Sequence, residues 1–338
     1  MHALMECKGS RSIYARAMSS HRNPLMPASI TTFTGSVFHY TSSAGLLGSL
    51  ESRTILASAA SSLNDLGEVR QGWEMIKNVL AALSGSDSAK MLRRFADDPV
   101  KSEHEVFVLS ASTDGDDANQ WRLYADGGRG YAIELDGVIP LAAVSGVPDA
   151  LPAAAQPKFG SFAKNIAAVS PWQKVLYRKS DVETALKELL VAVDNEVRQI
   201  EATANMPEDA IDAAYDSVQD WAYEALSTIA HLIKSPGFSG ENEVRVVATF
   251  GWGEEHIRYR SSANGIVGYA TLAEAPGGAT LTVLRPSAAG LPIVTSLPVK
   301  SIRLGPLLRP EHENTMTAFL RAKDLRHVGI LTSTVPLR

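Results

Sequence analysis

Two long amphipathic stripes occupy the middle of the chain, and strand-like segments crowd both ends of it. The first stripe, Val182, Leu186, Leu189, Leu190, Val193, Val197 and Ile200, follows Ser180-Asp181-Val182-Glu183, which has the form of a capping box. The second, Ile211, Tyr215, Val218, Ala222, Leu226, Ile229 and Ile233, starts after Pro207, a good first-turn proline, and stops at Pro236-Gly237. Together they predict a helical hairpin over about residues 180–235. Helices gathered between two β-rich ends indicate an α+β fold and not a doubly wound sheet.

The spacing predicts strands at 37–40, 53–58, 105–112, 129–135, 172–177, 243–250, 256–260, 264–269, 279–284, 298–304 and 327–333. Val106 to Leu109 is a continuous apolar run, which suits a strand buried on both faces. Helical spacing marks 43–52, 66–83, 89–95, 119–124 and 311–323. Asn64 or Asp65 is placed to cap the second of these, with Glu68 in its first turn, where negative charge suits the helix dipole. Residues 141–170 are rich in Ala, Pro and Gly and read as a loop. The expected organisation is a flexible extension over 1–35 and one α+β domain over 36–338.

Composition narrows the function classes. A net charge of −5 provides no overall basic field for nucleic acid. Cys7 is the only cysteine, so disulfide frameworks, cysteine-rich zinc sites and thiol catalysis are not expected. No apolar run reaches the length of a membrane span, and residues 1–35 lack the apolar core of a secretory signal. That points to a cytoplasmic protein, or to an exported effector if residues 1–35 act as a leader. There is no P-loop, no Gly-x-Gly-x-x-Gly, no His-Glu-x-x-His and no nucleophile elbow, and no metal is expected. Gly127-Gly128-Arg129-Gly130 precedes a strand, so it is not a dinucleotide-binding turn.

Glu241-Asn242-Glu243-Val244-Arg245 carries two acids at a strand entry. Residues two apart on a strand share a face, and like charges side by side do not stabilise it. Two readings follow: a catalytic pair, or a solvated strand entry with Arg245 pairing to a neighbouring acid.

An ordered set of landmarks runs along the chain. It comprises His39-Tyr40-Thr41-Ser42, Ser62-Leu63-Asn64-Asp65 with Glu68, Val108-Leu109-Ser110, Asp116 through Trp121 to Tyr124, and Gly130-Tyr131-Ala132-Ile133-Glu134-Leu135-Asp136. It continues with Ile233-Lys234-Ser235-Pro236, Glu241 to Arg245, Ser301 to Pro306 and Ser333 to Arg338. This set resembles the bacterial domain of unknown function 2971 from about residue 37 onward. More distantly, the chain resembles the ADP-ribosyltransferase fold. His39 with Thr41 is similar to the His-Gly-Thr of one branch, with Tyr40 in place of the glycine. Ser110-Ala111-Ser112 and Glu241-Asn242-Glu243 are similar to the Ser-Thr-Ser and Glu-x-Glu of another.

The second resemblance implies a twisted, partly split β core with the helical hairpin as an insertion. It also implies a protein that cleaves NAD as its substrate and passes ADP-ribose to an unknown acceptor: protein, nucleic acid or small molecule. With water as acceptor the activity is NAD glycohydrolysis. A role as a bacterial toxin, effector or phage-defence protein is the expectation attached to that resemblance. In it Glu243 stabilises the oxocarbenium-like transition state and Glu241 orients or deprotonates the acceptor. His39 bonds a ribose hydroxyl, Thr41 supports the loop beneath, and Ser110 lies on the middle strand. Tyr131 stacks on nicotinamide, with Tyr40 and Tyr124 competing for that place. Trp121 with Arg122, and Arg129, are read either as site neighbours or as packing and surface residues. The alternative is a non-catalytic module on the same fold that binds a nucleotide or a protein.

Overall fold

The computed structural model describes residues 23–62, 66–83, 85–97, 106–145, 167–203, 207–250, 257–262, 265–278, 284 and 295–337. In chain order the strands are β1 (Ser36–Thr41), β2 (Ile55–Ala59), β3 (Val106–Ser112), β4 (Tyr131–Asp136), β5 (Leu141–Val144), β6 (Ala167–Val169), β7 (Gln173–Lys174), β8 (Glu243–Phe250), β9 (Arg258–Ser262), β10 (Gly265–Glu274), β11 (Val299–Leu304) and β12 (Gly329–Thr332). The helices are α1 (Ser43–Ser52), α2 (Leu66–Ala82), α3 (Asp87–Asp97), α4 (Ala118–Tyr124), α5 (Lys179–Glu201), α6 (Glu208–Leu232) and α7 (Glu311–Ala322). The fold is α+β, built on one open mixed sheet in which β11 and β12 run parallel.

The sheet forks at β3. One edge of β3 pairs along its whole length with β8, from Val106 opposite Thr249 to Ser112 opposite Glu243. The other edge is shared. β1 pairs with it at Ser112 through Phe38, and β2 pairs at Val108 and Phe107 through Ser58 and Ala59. From β1 the sheet continues through β4, β11 and β12, and from β2 through β10 to β5 and β9. The continuous apolar run of β3 is what lets it serve as the trunk, since layers cover both of its faces.

Antiparallel register assigns the faces, because directly opposed residues point the same way. Val37, Leu109, Ala111, Ile133, Val244, Val246 and Ala270 share one face with α1 and α7, through Leu46, Leu50, Met316 and Leu320. On the opposite face Val106, Val108 and Val247 pack under α2, α3, α5 and α6. Farther along that face Tyr40 and Ala132 pack against Trp121 of α4. The predicted hairpin is thus α5 and α6, and its stripes build the second core. Gly72 of α2 lets the helices approach closely: a Cβ there would lie 2.5 Å from the carbonyl oxygen of Ala230 in α6.

Several boundaries differ from those expected. Of the extension, residues 23–35 pack onto the domain: Leu25 and Ile30 are buried in the helical core and Asn23 Nδ2 donates to Trp221 O at 2.8 Å. Residues 1–22 lie outside the described residues. The 141–170 segment opens with β5 and closes with β6, and 146–166 lie outside the described residues. So do Asn64 and Asp65, and most of the strand expected at 279–284. Helix α5 begins one residue before Ser180, so the capping box does not form. Arg178 Nε bonds Asp181 Oδ2 at 3.0 Å across the first turn instead.

Candidate functional site

At the fork, on the helical face, a cleft of about 480 Å³ opens. Leu56 and Ser58 of β2, Val108 and Ser110 of β3, and Phe38 and Tyr40 of β1 supply its floor. Its walls are Gln120, Leu123 and Tyr124 of α4 on one side, and Glu68, Lys234, Phe238, Glu241, Glu243 and Arg245 on the other.

Local geometry explains how the acids meet. β8 starts at Glu243, so Glu241 is not on the strand; it ends a 3₁₀ turn over Pro236–Glu241. Asn242 takes the left-handed conformation, φ 48°, which Asn tolerates better than most residues. Ser112 Oγ donates to Glu241 O at 2.8 Å, tying that turn to the end of β3. The two carboxylates converge through this bend and not through strand alternation. The like charges are reconciled by Lys234, whose Nζ donates to Glu241 Oε2 at 2.7 Å and to Glu243 Oε2 at 2.8 Å.

The network is larger than the acid pair. Arg245 Nε donates to Glu243 Oε1 at 2.7 Å and Nη2 to Glu68 Oε2 at 2.8 Å. Arg245 Nη1 donates to His231 O at 2.7 Å, where a cation also suits the C-terminal end of α6. Lys234 lies 3.3 Å from Glu68 Oε1. Three carboxylates and two cations therefore form one buried cluster with a net negative charge. Burial alone would raise the Glu243 pKa, but Arg245 and Lys234 outweigh it and hold the carboxyl down at about 2. The same balance, with burial opposed by Glu243, Glu241 and Glu68, raises that of Lys234.

Glu243 is only 8% exposed, and both of its oxygens are engaged by cations. The strand entry is thus buried and paired, not solvated. Glu241 sits nearer the mouth. Its Oε2 is held by Lys234, while Oε1 has a 3.4 Å contact with the Tyr124 hydroxyl. Burial, then the charge of Glu241, pushes that hydroxyl up to about 12, yet the Tyr124 residue remains 42% exposed.

His39 belongs by register to the Val37 face of β1, opposite the helical layer, and borders the cleft at the gap of the fork. Its Nδ1 lies 3.0 Å from the carbonyl oxygen of Ser110, on the part of the β3 edge between β1 and β2. A carbonyl only accepts, so Nδ1 carries the proton and Nε2 is left as an acceptor. Burial lowers the His39 pKa against the opposing effect of the Ser110 bond, so the ring is neutral near pH 7.

Of the residues singled out from sequence, His39, Tyr40, Ser110, Glu241 and Glu243 line this cleft, and Thr41 and Tyr131 do not. Tyr131 is buried in the core opposite the helical layer, its hydroxyl bonded to Ser43, so its ring is not available for stacking in the cleft. Register accounts for this: Tyr131 opposes Thr41, on the face of Val37 and Leu135. Thr41 packs at the start of α1, where a Cβ on Gly45 would collide with its Oγ1. Tyr40 lines the cleft but is braced. Its hydroxyl donates to Asp114 O and accepts from Asp117 N, and its ring meets Trp121 edge-on at 4.8 Å.

The accessible aromatics are Tyr124 and Phe238, and Lys234 Nζ lies 4.9 Å from the Phe238 ring centre. Glu68 and Lys234 were not assigned to the site from sequence, and Arg245 entered only as the partner of a neighbouring acid, which it is. A first-turn acid looks like dipole compensation, and only the close approach of α2 to α6 brings it to Arg245. Among the described residues, no group of three His, Cys, Asp or Glu is placed to hold a metal, and no helix is long and apolar enough to cross a membrane.

Helix α4 is fixed from below by Asp116. It accepts from Trp121 Nε1 at 2.9 Å, from Ser333 Oγ, and from Thr334 N and Oγ1 at 2.8 and 2.9 Å. Landmarks more than two hundred residues apart thus form one bonded unit behind the cleft wall.

Residues 120–246 match the family model described as "Protein of unknown function (DUF2971)". The match bears out the resemblance to that family over the segment holding Tyr124, Lys234, Glu241, Glu243 and Arg245, and does not reach His39 or Ser333. No curated protein and no solved structure matches the chain.

Proposed function

We propose that the cleft binds NAD and cleaves its nicotinamide–ribose bond, in the manner of an ADP-ribosyltransferase. The observation that carries this reading is the meeting of His39, Ser110, Glu241 and Glu243 at the fork, in a cleft with an exposed aromatic at its mouth. In the proposed step the C1′–N bond breaks and its electrons pass to nicotinamide. A nucleophile bonds C1′ and its proton passes to a carboxylate. Glu241, which keeps an oxygen toward the mouth, is the acid for that role, and the negative excess of the cluster favours positive charge on the ribose. Glu243 is assigned the task of holding Lys234 and Arg245. His39 Nε2 is an acceptor for a ribose hydroxyl, and Tyr124 is the candidate for stacking on a ring. A role in bacterial conflict belongs to the same proposal.

Complete pairing of Glu243 favours a second reading, a non-catalytic nucleotide- or protein-binding module. Incubation with NAD and a range of acceptors, with nicotinamide quantified, separates the two. The transferase reading expects release that falls strongly in Glu241→Gln and His39→Ala, with thermal melts confirming folding. Glu243→Gln is tested beside them, where loss of activity counts only if the melt is retained. NAD binding without release, across all acceptors, leaves the module.

A further inference from the structure

The face that forms the floor of the cleft continues beyond it. Ser110 of β3 shares this face with Ser58 of β2, since Val108 and Ser58 are opposed. Ser58 opposes Tyr269 of β10, and Tyr269 opposes Arg258 of β9. Arg260, two residues along β9, points the same way. One polar track therefore runs from the acids to a pair of arginines. Leu56 is exposed, so the track is open to solvent at β2.

Arg260 is exposed, yet its side chain folds back toward the cleft. Its Nη2 reaches back across β10 to donate to Ser58 Oγ at 3.2 Å, and Ser58 lines the cleft. The guanidinium thus stands at the cleft edge, about two strand spacings, or roughly 10 Å, from the strand of Glu243. Among the described residues no carboxylate pairs with Arg260. The contrast with Lys234 and Arg245 is the point: those cations are consumed by three acids, and the cluster they leave repels an anion. A ligand with phosphates needs a free cation near but outside the acids. Among the described residues Arg260, bonded to a hydroxyl and to no acid, meets that need, and its planar fork matches phosphate oxygens.

We infer that Arg260 anchors the phosphates of a nucleoside diphosphate group at the open end of the cleft, with Arg258 assisting from the same face. The inference rests on the reading of the cleft as a nucleotide site, and adds where the phosphates bind.

The test is equilibrium titration of the full chain with ADP, which has no nicotinamide bond to cleave, and with adenosine, which has no phosphate. Wild type is expected to bind ADP, and Arg260→Gln to weaken it about tenfold or more, as loss of one charge-assisted contact does. Arg260→Lys recovers part of the loss, and adenosine binding is unchanged by either substitution. The side chain is exposed, so the variants are expected to fold, and circular dichroism checks it. Unaltered ADP affinity in Arg260→Gln overturns the anchor, and so does failure of wild type to bind millimolar ADP. Arg260-dependent ADP binding without nicotinamide release defeats the transferase reading alone. Nicotinamide release with ADP affinity indifferent to Arg260 defeats the anchor alone.

Discussion

Replacing Lys234 by Met removes the one cation that touches all three acids while keeping most of the stem's volume. Nζ lies 2.7 Å from Glu241, 2.8 Å from Glu243 and 3.3 Å from Glu68, and its side chain is 6% exposed. What remains is three carboxylates and one guanidinium, which bonds only Glu243 and Glu68. Breaking a buried ion pair by removing one partner costs about 3–5 kcal/mol, because the remaining charge is left uncompensated. Unfolding entropy of about 2.1 cal/mol/K per residue over 338 residues is about 0.7 kcal/mol/K, so Tm falls by about 4–7 °C.

Two companion measurements identify the cause. Adding Glu241→Gln restores the original net charge of the cluster, and the double variant should regain about half of the loss or more. The single variant should also recover part of its deficit relative to wild type as pH is lowered, because protonating an acid of the cluster relieves the repulsion. Urea unfolding of the four proteins of this cycle supplies the numbers. A cost below about 1 kcal/mol, or a double variant no better than the single, refutes the claim of a buried and coupled cluster.

Glu243 has a depressed folded pKa of about 2 against an ordinary value of 4.5, so its contribution is present above 4.5 and lost as pH falls toward 2; that is about 3 kcal/mol at most. Urea midpoints at pH 6, 4 and 3 should decline across that window, and a flat series contradicts it. Asp116→Ala leaves the buried Trp121 indole N–H and the Ser333–Thr334 segment without their acceptor, at about 2–4 kcal/mol. The check is a red shift of tryptophan emission and faster proteolysis near residue 333 relative to wild type. Gly72→Ala sets a Cβ against the Ala230 carbonyl and should cost about 1–3 kcal/mol, read from thermal melts. If Gly72→Ala is neutral, α2 does not depend on that approach to bring Glu68 to Arg245.

What was legible in the chain was local. Helical spacing located α5 and α6 closely, and the apolar run of Val106 to Leu109 announced a strand buried on both faces. The acid pair was visible, but its geometry was not: alternation put both acids on one face of a strand, whereas Asn242 turns Glu241 off the strand and onto a lysine. Tyr131 stood first as the stacking ring, with Tyr40 and Tyr124 competing for that place. Periodicity states that a strand residue alternates, not which face the fold covers, and register with β1 buried Tyr131.

By itself the sequence determined most of the elements, their order and the α+β class, though not β5 and β6, because hydrophobic period and turn chemistry act over a few residues. The fork at β3, the placing of His39 in its gap, the union of Glu68, Lys234 and Arg245 with the acids, and the track to Arg260 were decided only in three dimensions. Each depends on strand register or helix approach between segments far apart in the chain, and no short window of sequence encodes which partner a given edge or helix face will meet.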